Sequence, residues 1–506
     1  MKKSRLTALI VICVMVSQLF LSCNSANAGK KDIQTTTAAG DVNGNAASET
    51  AAESDSGETD YVYPNLNCNG EDFNILNTTT TWGFYTDLVH ESMTGEVLDD
   101  AIYTRNSTIE DKFNVNIKEI PEGVDTSSQK LRTAVQAGDN AYDAAYVPCN
   151  SSIPIGSLVT DNILYNLSDI PELNLDQKWW NQSIKQDSAL GTSKSLYFAF
   201  CDINIMPLQC AWCIYINEDM MKKLGLDLPY SLVKSGKWTY DEFYKYMEAG
   251  AQLNGAQSFK WDDNAPTVYG YTSFENGTLA LITASGERGV SIDNSGMPSL
   301  AVDSERFFNV CDKLSQMLAT KDKGEYLTAN ASNSLFHFEV IFGNCRALMM
   351  GGELKAADSF RNMDDTFGIV PMPKYDETQD RYYTAVTVQT PVLVVPVTNT
   401  NTSRTGVILD AMAYLSNKDV TPVFFDVTMS QKRLRDDESI NMLQIVKDSL
   451  YFNVGIAYGW TQNMIYAIRD SLDGGKGNNV VSTVDKMKAQ AQASMDKTMT
   501  LIESKG

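Results

Sequence analysis

His90 and His337 are the only histidines in the chain, and this scarcity narrows its chemistry. Serine and cysteine hydrolases ordinarily use a histidine base, and catalytic zinc ordinarily takes several histidine ligands. No HExxH, GxSxG or DxDxDG pattern occurs. Ser235-Gly236-Lys237-Trp238-Thr239 imitates a phosphate-binding loop, but the upstream glycine and a hydroxyl residue directly after Lys237 are missing. Asp41, Asn43 and Asn45 imitate the start of a calcium loop, with Gly44 out of step with the required glycine. Cys210-Ala-Trp-Cys213 has redox spacing, but it lies in an apolar run that reads as a buried strand, whereas redox pairs start a helix. The expectation is a chain with no catalytic residues, no metal and no cofactor. Aspartate and glutamate are plentiful, so a glycosidase with paired carboxylates stays open as an alternative. Rings beside carboxylates and amides suit a different task, the holding of a polar solute.

Composition supports that task. Lys and Arg number 41 against 63 Asp and Glu, for a formal net charge of −22. Nucleic acid needs a basic face, which this balance denies. Cysteines number nine. Cys13 and Cys23 lie in the leader region. The remaining seven, Cys68, Cys149, Cys201, Cys210, Cys213, Cys311 and Cys345, are an odd set that cannot close as a disulfide framework. Most read as small buried apolar residues.

The leader itself is informative. Lys2, Lys3 and Arg5 precede an apolar run, Leu6 to Leu21, which is the length of a signal-peptide core and short of a membrane span. It ends at Leu19-Phe20-Leu21-Ser22-Cys23, which resembles a bacterial lipobox, although Phe20 departs from the usual Leu, Val or Ile. The resemblance implies cleavage before Cys23 and lipid on that residue, a lipidation site. Two or more acyl chains anchor stably where one does not. The simpler alternative is a secreted protein with an incidental cysteine. Residues 24–60 are polar, without aromatics, and too poor in apolar side chains to order themselves. As a tether they reach on the order of 30 Å, from about 5–6 Å times the square root of length.

From about Tyr61 the pattern turns globular. Glu71–Thr78 reads as a strand, and Glu96–Phe113 as a helix with Leu98, Ile102, Ile109 and Phe113 on one face. Val115 and Ile117 alternate into a second strand, Ser127–Ala137 is helical, and Tyr142–Pro148 is a third strand. This β-α-β-α-β order predicts a parallel, doubly wound α/β sheet. Ligands of such sheets sit beyond the carboxyl ends of the strands. That places the loop with Trp82, Phe84 and Tyr85, and the loop Cys149–Ser152 with Asn150, at a binding edge. A second unit starts at the strand Trp212–Ile216, with Asn217 as helix N-cap and Gly225 as helix stop. Thr239 and Glu242 predict a capping box, and Trp238 with Phe243 a hydrophobic staple. Ala347–Gly352, Phe367–Pro371 and Pro391–Pro396 read as strands. Arg404–Leu415, Glu438–Leu450, Trp460–Leu472 and Val484–Ile502 read as helices.

The stretches IYINEDMMKKLGLDLPYSLVKSGKWTYDEF, FGIVPMPKYDETQDRYYT and RLRDDESINML resemble extracellular solute-binding proteins, family 1, the carbohydrate-type partners of bacterial ABC importers. The resemblance implies a two-lobe, periplasmic-binding-protein-like (type II) α/β clamp whose chain crosses between lobes three times. Crossings are then expected near Met206–Trp212, Val370–Pro373 and Lys432–Asp436. The expected division is a signal peptide at 1–22, a lipidated cysteine and tether at 23–60, a first lobe at 61–208 plus 374–433, and a second at 209–373 plus 434–506. By local pattern the family's ligand contacts carry over to Trp82 and Tyr85, to Cys149 and Asn150, to the turn Gly351-Gly352-Glu353, and to Trp460. Trp212 joins them beside the first crossing. The acidic residues usual after the third strand are missing here.

A pyranose offers an apolar C–H face and a rim of hydroxyls, which rings and carboxylates or amides complement; a ring contact adds on the order of 1 kcal/mol beyond area burial. The expected function is capture of a small saccharide by hinge closure and delivery to an ABC transporter permease. The expected protein is a monomer, lipid-anchored on the extracytoplasmic face of the membrane. Each candidate has a plainer reading as well. Trp460 would serve lobe packing, Glu353 would cap a helix, Trp238 and Trp261 would fill cores, and Trp179-Trp180 would be one core and one surface residue. A peptide or another polar cargo in the same clamp is the further alternative.

Overall fold

The computed structural model describes residues 61–149, 152–262, 264–328, 337–387, 389–430, 437–472 and 479–504. The expected signal peptide, Cys23, the tether, Asn150 and the crossing at Lys432–Asp436 lie outside these residues. Among the described residues no helix is long and apolar enough to cross a membrane, and no group of metal-ligating side chains is assembled.

Two sheets organise the chain. The first has four strands in the order Pro391–Val394, Ala144–Pro148, Glu71–Thr79, Val115–Gly123. Its first three strands in sequence run parallel, as the β-α-β-α-β pattern requires, with helices Val97–Phe113 and Ser127–Gln136 between them. The strand Pro391–Val394 is antiparallel to Ala144–Pro148, so the sheet is mixed and not wholly parallel. The reason is connectivity: this strand returns from the other half of the molecule and needs no right-handed crossover helix.

The second sheet has five strands, ordered Phe367–Pro371, Trp212–Asn217, Ala347–Glu353, Tyr269–Ser273, Tyr326–Thr328. Trp212–Asn217 is antiparallel to both neighbours, while the last three named strands are mutually parallel. Their carboxyl ends, at Glu353, Ser273 and Thr328, therefore share one edge with the amino end of the strand that Trp212 begins.

Local rules explain much of this half. Asn217 caps the helix Glu218–Lys223 by accepting from the Met220 N–H at 2.8 Å. Gly225 follows that helix at φ +69°, a left-handed conformation that glycine adopts without strain. Trp238 and Phe243 pack with ring centroids 5.9 Å apart, the predicted staple. The capping box does not form: the Thr239 side chain makes no capping bond, and Glu242 accepts from Lys245 at 2.6 Å instead. Half-buried on the first turn, Glu242 finds a cation more readily than it folds back.

Helix bounds differ modestly from the pattern. The helices are Thr402–Leu415, Asp437–Asp448, Gln462–Leu472 and Val480–Glu503. Leu450 belongs to a short strand, and Trp460 precedes its helix. Ala491, Met495 and Met499 are buried on one stripe of the last helix, as their spacing predicts. Six of the seven body cysteines are buried, and all seven are free thiols.

Three apolar cores result. One lies on the outer face of the first sheet and includes Phe73, Ile109, Phe113, Leu393 and Met412. A second covers the second sheet with Trp238, Phe243, Leu314 and Ile468. The third joins residues of both sheets, from Val147 to Tyr215 and Met350, and so runs through the waist between them. Trp179 and Trp180 divide as expected, Trp180 being 2% exposed and Trp179 partly buried. Both indoles donate to Asp410, at 2.6 and 3.1 Å, as do Asn174 at 2.9 Å and the Tyr61 hydroxyl at 3.0 Å. Four donors on one buried carboxylate fix the start of the body to the first sheet's helices.

Candidate functional site

The waist is held by backbone hydrogen bonds between segments remote in sequence. Thr384 N–H donates to Ser449 at 2.7 Å, Val386 to Tyr451 at 3.3 Å, Thr387 to Cys210 at 3.2 Å, and Leu354 to Ala211 at 2.9 Å. The short strands Thr384–Ala385 and Leu450–Tyr451 pair in parallel, and Ala211 bridges Val386. Three stretches remote in sequence thus lie side by side at Cys210–Trp212, Thr384–Thr387 and Ser449–Tyr451. Val370 and Pro371 are still part of the second sheet, and Tyr375 and Tyr382 still pack on its core.

Strand register places Trp212 opposite Glu353 and Cys213 opposite Gly352. The Trp212 indole N–H donates to the Thr387 hydroxyl at 3.1 Å, and that hydroxyl donates to a Glu353 carboxylate oxygen. A relay therefore joins the start of the strand Trp212–Asn217, the segment at Thr387 and the end of the central strand. Trp212 is 2% exposed, with Phe274 against it at 5.2 Å and Phe338 stacked on Phe274 at 5.1 Å. Burial pushes the Glu353 carboxyl up to about 7, against the opposing pull of the Thr387 hydrogen bond and of Lys355. Near neutral pH this group accepts as a carboxylate and donates as an acid. Behind Trp212 is a cavity of about 50 Å³ lined by Asn276, Thr283, Glu287, Thr387 and Asn453. Its walls mix these polar groups with Leu279, Ile282, Ile456 and Ile465, and its size suits water, not a ring.

The loop after the first strand meets this edge from the other sheet. Lys355 donates to the Trp82 carbonyl, and its ammonium lies 4.7 Å from the centre of the Phe84 ring. Tyr85 N–H donates to the Gln209 side chain at 2.7 Å. The Tyr85 hydroxyl turns away and donates to Asp99 at 2.6 Å, with His90 also at 2.6 Å. Trp82 is 39% exposed, a free ring at the rim. Lys355→Met keeps the stem over Phe84 and removes the ammonium. We expect it to weaken this cross-sheet contact by about 1 kcal/mol. Energy transfer between dyes on the loop at 82–85 and on the 355–360 segment should fall; unchanged transfer would show that Lys355 holds nothing.

Two other predicted residues, Cys149 and Trp460, are buried in the core. Cys149 is fully buried, its N–H donates to the Thr390 carbonyl at 3.4 Å, and burial lifts its thiol well above the ordinary range. Trp460 is 4% exposed, stacks on Tyr458 at 4.7 Å, and donates its indole N–H to Thr498 at 3.0 Å. Its polar handle is spent within the core. The structure thus gathers Trp212, Gly352 and Glu353 in one place and brings Trp82 and Tyr85 to their rim. Cys149 and Trp460 are packed side chains. Lys355, Gln209, Thr387 and Phe274 join the site unannounced by the sequence. Only the position of Lys355, two residues after Glu353, offered a signal.

The comparisons fit this architecture. The family model described as bacterial extracellular solute-binding protein matches residues 103–388, more than half of the chain. No curated protein matches the sequence. Among solved structures, a cyclo/maltodextrin-binding protein complexed with maltotetraose is similar at 12% identity and TM-score 0.51, over 86% of this chain and 97% of that one. The cyclic α-maltosyl-1,6-maltose binding protein from Arthrobacter globiformis is similar at 11% identity and TM-score 0.54, over 85% of this chain and 99% of that one. UspC of M. tuberculosis is similar at 11% identity and TM-score 0.54, over 84% of this chain and all of that one. The fold is the mixed α/β, two-lobe fold of periplasmic-binding-protein type, and by the family match the chain belongs to the bacterial extracellular solute-binding proteins.

Proposed function

We propose that the protein is a lipid-anchored, extracytoplasmic binding protein that captures a small saccharide between its lobes and delivers it to an ABC transporter permease. The observation that carries the reading is the relay from Trp212 through Thr387 to Glu353. It puts a ring, a hydroxyl and a carboxyl of tunable protonation where the crossing segments meet. Family membership supports the binding role, and two proteins of the same fold are a cyclo/maltodextrin-binding protein complexed with maltotetraose and a cyclic α-maltosyl-1,6-maltose binding protein. Cys23 supplies the anchor and residues 24–60 the tether.

We place the crossings at Cys210–Trp212, at Thr384–Thr387 and at the segment following Ser430. The first lobe is then built on the sheet of Glu71–Thr79, and the second on the sheet of Trp212–Asn217. Ligand contacts are assigned to Trp82, Trp212, Glu353, Thr387 and Lys355. A cavity of about 50 Å³ is far below the 300–1,000 Å³ of ordinary ligand sites, so a pyranose reaches Trp212 when the lobes part. A ligand touching both lobes binds the closed form better and shifts the population toward it.

The test is a thermal-shift screen of the chain from Asn24 onward against mono- and oligosaccharides, followed by solution scattering. A true ligand at a hundred times its dissociation constant adds about 2.7 kcal/mol of stability, and the radius of gyration contracts. Stabilisation by peptides and by no sugar would transfer the clamp to peptide cargo.

A further inference from the structure

A groove of about 530 Å³ runs along the flank of the second lobe, between helix His337–Gly343 and the 3-10 segment Leu354–Phe360. Its walls carry Glu339, Val340, Asn344, Lys355, Asn362 and Met363. One of its walls is Lys355, the residue that reaches the Trp82 carbonyl and the Phe84 ring at the rim of the waist. The groove thus shares Lys355 with the proposed site and is roughly ten times the size of the cavity behind Trp212.

Its chemistry is specific. Asn344 and Asn362 are exposed, and among the described residues neither side-chain amide makes a protein hydrogen bond. Val340 is 52% exposed beside Met363. Amides that donate and accept, next to an apolar strip, match the hydroxyl rim and C–H face of a sugar ring. One cation, Lys355, and one carboxylate, Glu339, leave no strong preference for a charged ligand. Glu339 is engaged by the Ser359 hydroxyl at 2.5 Å.

We propose that this groove is an extension subsite, which holds the outer units of a neutral oligosaccharide whose first unit lies at the waist. The proposal rests on the saccharide reading and goes beyond it, since it makes chain length a determinant of affinity. The experiment is calorimetry with malto- and cello-oligosaccharides, from disaccharide to the longest soluble members. The proteins are the wild type, the double variant Asn344→Ala/Asn362→Ala, and Val340→Trp, which fills the groove.

In the wild type a tetrasaccharide should bind about tenfold tighter than the disaccharide. Both variants should reduce that gain to about twofold and leave disaccharide affinity unchanged, with melting temperatures like the wild type because all three positions are exposed. Equal affinity across chain lengths in the wild type, or a gain that survives both variants, overturns the groove and leaves the saccharide reading standing. An absence of heat from every saccharide, in this ladder and in the screen above, overturns that reading and the groove with it.

Discussion

Replacing Trp212 with alanine is expected to cost about 3–5 kcal/mol of stability and to abolish saccharide binding. Trp212 is 2% exposed and begins the second strand from the edge of the second sheet. Its removal leaves a void against Phe274, the aromatic layer that carries on to Phe338. It also takes the indole donor from the Thr387 hydroxyl, which keeps only its bond to Glu353. Because the relay ties Trp212 to Thr387, 175 residues away, the loss loosens the waist and the proposed site together. Trp212→Phe separates the two contributions. It keeps a ring for Phe274 and loses the indole N–H, at about 1 kcal/mol. Urea unfolding and calorimetry measure both variants. A Trp212→Ala protein with near wild-type stability and intact sugar binding would show that the relay is incidental.

The second large effect concerns pH. Glu353 has its carboxyl pushed from an ordinary 4.5 to about 7, chiefly by burial. The folded protein therefore binds more protons than the unfolded chain between these two values. The sign follows: stability from this group is greatest below the unfolded value and is lost as pH rises toward and through 7. The full loss is on the order of 3 kcal/mol, set by the size of the displacement. Glu353→Gln cannot ionise and still accepts from Thr387 through its amide oxygen. The variant should match the wild type at pH 5 and exceed it at pH 8. Unfolding free energies at the two pH values decide the matter, because other titrating groups cancel in the difference. A constant offset between wild type and variant would mean that Glu353 does not titrate in this range. Screening of ligands is accordingly best done on both sides of pH 7.

How much of this was legible from sequence differs between fold and site. The first sheet's parallel strands follow from apolar alternation and helical spacing within short windows, so Ile75, Ile102, Ile109 and Leu131 fall in the core as the pattern requires. Asn217 as cap and the Trp238–Phe243 staple are likewise matters of a few residues. Thr239 shows the limit even there, because its predicted partner Glu242 had a nearby lysine to choose instead. The region 250–346 gave little pattern, yet it supplies two strands of the second sheet and the ring of Phe274.

The proposed site owes part of its assembly to strand register. Trp212, Gly352 and Glu353 do meet, since an antiparallel register puts them opposite each other. Trp460 was singled out as an aromatic before a helix, and the same hydrophobicity that marked it sends it into the core against Tyr458. Thr387 had no local mark at all. Its importance comes from a partner 175 residues away in sequence.

The sequence by itself determined an acidic, histidine-poor composition and two α/β halves, and its first 23 residues carry the pattern of a leader ending at Cys23. Those are properties of composition and of windows a few residues wide, where periodicity and charge act directly. The tertiary structure alone decided that Thr387 couples Trp212 to Glu353, that Lys355 reaches the loop of Trp82, and that Trp460 is spent on packing. Each depends on crossing segments brought side by side by backbone pairing over long sequence distances, and the free energy of such contacts leaves no trace in the residues adjacent to them along the chain.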